Sequence, residues 1–216
     1  MYTLIPTLTG IRTMTTSMNT DMRFQAFAQP WWVNLLILIP LLAYLAWRRK
    51  GLELTRRQLL ILAAYGLAFG FVEASVVVYL RAAAGLLPGY QGTLADVQRS
   101  VAGYDPSRSL NQFPQSLLTV ESLREAATMI MLLSIAFLAA PRSRERWAVF
   151  LWTFALWDIA YYGGLWATVR WPSSLKELDV LFLIPVPWVA QVWYPLLVSG
   201  LTLLAVARAN GPKRGW

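Results

Sequence analysis

Six side chains in this 216-residue sequence have the types and spacing to do chemistry: Glu73, Glu121, Arg124, Glu125, Asp158 and Tyr161. All stand within apolar stretches, where an ionised group costs about 2.5–3.5 kcal/mol at the centre of an inserted helix. Such groups persist when they face the bundle interior and meet partners. Glu121, Arg124 and Glu125 fall at i, i+3 and i+4, so they share one helix face. Glu73 flanks the ridge Gly66, Gly70, Ala74, whose small residues let two helices approach closely, and it should therefore point into the bundle. Asp158 and Tyr161 share a third face, with Tyr162 and Gly163-Gly164 just after them.

Glu73, Glu125 and Asp158 offer three carboxylates from three helices. Oxygen ligands of that kind suit a hard divalent cation such as Ca²⁺, Mg²⁺ or Mn²⁺, and no other cofactor is implied. Arg124 would orient the pocket or pair with an anion, and Tyr161 would donate a hydrogen bond. With Asp179 added, five carboxylates and one guanidinium sum to a formal −4. In a low dielectric, protonation, bound cations or water must offset that excess. A plainer reading makes Glu121 an interfacial acid favoured by a helix dipole, Arg124 an inter-helix clamp and Asp179 a helix N-cap.

Other chemistries are absent by composition. The chain has no histidine and no cysteine, which excludes Ser-His-Asp triads, HExxH metalloproteases, thiolate metal sites and disulfide scaffolds. No catalytic residue can be assigned.

The elements that must position these side chains are membrane helices. Hydrophobic residues make up 57% of the chain and charged residues 14%, against about 25% charged in soluble domains. A span needs about 20 mostly apolar residues. Five stretches qualify: 31–47, 59–80, 117–140, 147–171 and 180–207. The expected fold is all-α and polytopic, with residues 29–208 as a single five-helix transmembrane domain. Residues 1–28 form a flexible N-terminal segment, in which Met1, Met14, Met18 and Met22 are alternative starts, and residues 209–216 form a basic tail. Pro185, Pro187 and Pro195 in the fifth span would free the helix carbonyls of Leu181, Leu183 and Gln191. The long segment 82–116 is rich in turn residues. Its Leu94, Val97 and Val101 recur at helical spacing and suggest a short amphipathic helix at the outer surface.

Orientation follows from the basic residues. The 48–58 and 141–146 loops and the tail from Arg208 hold 11 of the 19 Lys and Arg residues and two acids, Glu53 and Glu145. Short loops rich in Lys and Arg stay in the cytoplasm, so the N-terminus is expected outside and the C-terminus inside, in a plasma (inner) membrane of bacterial type. The ionisable residues within spans then lie at mid-membrane or in the outer half. Glu73, seven residues from the outer end of its span, is roughly 10 Å deep. The net charge of +8 thus reflects topology, and no nucleic-acid partner is expected.

The function these features favour is binding: an acid-rich, Arg-containing pocket near the outer leaflet that takes a cation, a lipid head group or a small polar ligand. One alternative is a metal-dependent membrane enzyme acting on a lipid-linked substrate. Another is a structural subunit of a membrane assembly. Membrane lipids, a second copy of the chain or a membrane-complex protein are the expected partners.

Overall fold

A computed structural model describes residues 27–83 and 114–210. The amphipathic helix expected around 94–101 lies outside them, as do residues 1–26 and 211–216. The described chain is mostly helical. A 3-10 helix, Trp31–Ile37, runs into α1, Leu38–Trp47; α2 is Arg56–Ala83, α3 Gln115–Ala139 and α4 Ser143–Val169. Two strands follow, β1 (Leu178–Phe182) and β2 (Trp188–Gln191), and then α5, Trp193–Ala209. α2, α3 and α4 are each long and apolar enough to cross a membrane, while 31–47 and 193–209 are shorter apolar helices. Large apolar side chains such as Leu60, Phe71, Leu123, Ile130 and Leu138 point outward, as lipid-facing helices require.

α2 begins at a capping box. Thr55 Oγ1 accepts from Gln58 N–H at 3.1 Å, and Gln58 Oε1 accepts from Thr55 N–H at 2.8 Å, satisfying donors that a helix N-terminus leaves open. The small-residue ridge of α2 packs on α4. A Cβ added at Gly66 would lie 2.9 Å from the Thr153 carbonyl oxygen, and one at Gly70 would collide with that of Trp157. Only glycine lets the two backbones come this close, and Gly164 on α4 answers with Ala74 of α2 against it. This contact fixes the rotation of both helices. It turns Glu73 and Asp158 inward, and both are buried.

The basic connections meet at one end of the bundle. Leu52 N–H donates to Ala209 O, and Asn210 bonds both the N–H and the carbonyl of Leu54. Arg142 pairs with Glu53 at 2.5 Å, and hydrogen bonding to that carboxylate holds Arg142 above the ordinary guanidinium value. Trp47, Leu52, Leu54, Ala140, Ala148 and Ala209 form an apolar cluster beneath. Here the chain turns back through short connections, and a second cavity of about 110 Å³ lies beside the 140–146 turn, lined by Ala136, Phe137, Ser143, Arg146 and Phe150.

Two expectations need correction. The fifth apolar stretch is not a helix from Val180. Its first part is the antiparallel hairpin β1–β2, with Val180 opposite Val189, Phe182 opposite Trp188 and an irregularity between Val180 and Phe182. Pro185 and Pro187 sit in the turn; proline lacks an N–H and pushes the preceding residue to extended backbone. Val180, Phe182, Trp188 and Val189 are β-branched or aromatic, and such residues fit a pleated surface. Asp179 is accordingly a buried strand residue and not a helix cap. Pro195 alone lies in the helix, near its start, where a missing N–H breaks no helical bond. The second correction concerns Ala28, which sequence placed in a flexible segment. It is buried, and its neighbour Gln29 pairs with Val189 of the hairpin.

Candidate functional site

At the end of the bundle away from the basic connections, α2, α3, α4, the hairpin and the start of α5 surround a cavity of about 120 Å³. Glu73, Glu121, Arg124, Glu125, Asp158 and Tyr161 all line it, as does Asp179. These side chains come from three helices and lie up to 88 residues apart in the sequence (Glu73 to Tyr161).

Every carboxylate has a donor, and Glu73 and Glu121 share one, Arg124. Arg124 forks onto Glu121, with Nε to Oε2 at 3.0 Å and Nη2 to Oε1 at 2.6 Å, while its Nη1 meets Glu73 Oε1. A planar guanidinium is suited to such a bridge because its donors lie in a fixed fork. Thr128, one turn along the Glu121–Arg124–Glu125 face, donates to Glu73 Oε2 at 3.3 Å. Glu125 reaches the hairpin instead and accepts from Leu183 N–H at 2.8 Å. Asp158 accepts from Ser199 Oγ of α5 at 2.8 Å. Asp179 accepts from Tyr162 Oη, also at 2.8 Å. The acids therefore stitch α2 to α3, α3 to the hairpin, α4 to α5 and α4 to the hairpin.

That distribution bears on the metal expectation. Among the described residues no group of three or more Asp or Glu side chains is gathered closely enough to hold a metal ion. Glu73, Glu125 and Asp158 line one cavity but take separate partners. Arg124 bridges Glu73 of α2 and Glu121 of α3, the contact an inter-helix clamp makes.

The other wall is aromatic. Phe154 and Trp157 of α4 meet Phe182 of the hairpin at ring-centroid separations of 6.4 and 6.3 Å, and Phe182 meets Trp188 at 5.2 Å. Tyr161 continues the row at 6.4 Å from Trp157. Among the described residues the indole N–H groups of Trp157 and Trp188 are buried and have no acceptor. A buried donor left unmade is unfavourable.

Sequence reasoning missed Thr128, Ser199 and the aromatic wall. Thr128 was findable, since it extends the same helix face at i+3 and i+4 from Glu125 and Arg124. Ser199 was not, because nothing local ties it to an aspartate 41 positions away.

No protein-family model, no curated protein and no solved structure matches the chain. The class that fold and site define is a mostly helical protein with three helices long and apolar enough to cross a membrane and a cavity lined by acids.

Proposed function

We propose that the chain is a multi-pass protein of the plasma membrane that binds a small polar ligand in this cavity, on the outer side. One observation supports the reading above the others: the polar residues of three apolar helices converge on a partly aromatic cavity at the end opposite the basic connections. Binding sites are concave, mostly apolar and carry a few convergent polar groups. In this reading the hairpin and α5 together complete a fifth crossing, since α5 at 17 residues reaches only about 26 Å of a core roughly 30 Å thick. The hairpin's irregular backbone at that depth is tolerated because it is packed in protein and lines a cavity. The three basic segments then face the cytoplasm, with the N-terminus outside and the C-terminus inside.

The test is thermal unfolding of the purified full chain in lipid nanodiscs. Inorganic cations, organic cations, zwitterions and anions are added in turn to the wild type and to Val198→Trp, which fills the cavity from its α5 wall. A ligand at about 100 times its Kd stabilises by about 2.7 kcal/mol. The expected result is that one class raises the midpoint of the wild type and leaves the filled variant unmoved. Equal shifts in both proteins, or none with any class, would overturn the reading.

A further inference from the structure

We infer that the ligand is an organic ammonium, carried on a small amine or on a lipid head group; this rests on the binding reading above. The cavity has two unlike walls. One presents carboxylates, with a formal excess of four negative charges when all are ionised. The other is the ring row Phe154, Trp157, Phe182 and Trp188. An ammonium group is attracted both to ring faces and to carboxylates, and aromatic enclosures are the usual device for recognising it.

Competing ligands fit less well. A divalent metal ion needs several oxygens converging within coordination distance, and among the described residues the carboxylates do not gather in threes. An anion would meet five carboxylates and one guanidinium in the lining, a formal balance that disfavours it. The volume, about 120 Å³, corresponds to on the order of ten water-sized positions, which suits a head group and not a large molecule.

The experiment titrates the full chain in nanodiscs with tetramethylammonium chloride and ethanolamine hydrochloride, against potassium chloride, magnesium chloride and sodium phosphate at matched ionic strength. Unfolding midpoint and calorimetric Kd are read. The two ammonium salts should raise the midpoint. Phe182→Leu, in the hairpin, should weaken their binding roughly tenfold, Phe182→Tyr should restore it, and Asp158→Asn should weaken it while keeping an acceptor for Ser199. Stabilisation by potassium, magnesium or phosphate without stabilisation by either ammonium would overturn the ammonium assignment and leave the binding reading standing. Silence of every salt would remove both. Nanodiscs of phosphatidylethanolamine and of phosphatidylglycerol separate the sources. Ethanolamine binding seen only in the second points to the lipid head group as the natural occupant, and equal binding in both points to a free amine.

Discussion

Two arginine–glutamate contacts mark the two ends of the bundle. Arg124 and Glu73 have side chains 21% and 8% exposed, whereas Arg142 and Glu53 are 61% and 52% exposed. The chemical groups are the same, but their surroundings reverse their weight. At the basic end water solvates both partners, so the pair adds little beyond tying one connection to another. At the cavity end the apolar helices could not hold Glu73 without a partner, so Arg124 is required by the fold. The basic end packs on an apolar cluster and holds a sheltered pair of its own, Arg144 with Glu145, which are neighbours on one helix and so join no two elements. The other end keeps a cavity into which five carboxylates face.

The largest expected effect tests that contrast directly. Arg124→Leu leaves Glu73 buried with only Thr128, and removing one partner of a buried pair costs about 3–5 kcal/mol. Denaturant unfolding in micelles measures it, and a change below about 1 kcal/mol would place this pair in the same category as the exposed one. Next comes Gly70→Val, which forces a side chain into the Trp157 carbonyl and should destabilise by about 1–3 kcal/mol or more. Gly163→Ala, where an added Cβ meets nothing within 4 Å, should stay within about 1 kcal/mol of wild type. Ser199→Ala removes the donor to Asp158 and should cost about 1–3 kcal/mol, with no loss of helix content by circular dichroism. The smallest effect belongs to the basic end: Arg142→Ala should leave the unfolding midpoint unchanged, with or without added salt. If it instead unfolded the protein as Arg124→Leu does, the two ends would not differ as described.

The residues that differ between sequence and structure share a physical cause. Glu73 was legible because its neighbours Gly66, Gly70 and Ala74 announce the packed face. Glu121, Arg124 and Glu125 were legible because helical spacing alone sets their common direction. The hairpin was not, since an apolar run through 180–207 satisfies a hydropathy window whatever its backbone does. The signal against a helix was Pro185 and Pro187 two positions apart, between β-branched and aromatic residues, and it speaks of local backbone and not of hydropathy. The donors to Asp158 and Asp179 arrive through tertiary packing from Ser199 and Tyr162, and no spacing rule reaches across elements.

The chain has no cysteine, so a single one reports its own surroundings. Val198 lines the cavity, while its neighbour Leu197 is exposed on the outer face of α5. A membrane-impermeant methanethiosulfonate bearing a quaternary ammonium, applied from the side opposite Arg48 to Arg57, needs a hydrated thiolate to react. Val198→Cys should be modified at least about tenfold faster than Leu197→Cys, and tetramethylammonium should slow it. Equal rates at the two positions, or modification of Val198→Cys only from the side of the basic connections, would contradict an outward-facing cavity that accepts cations.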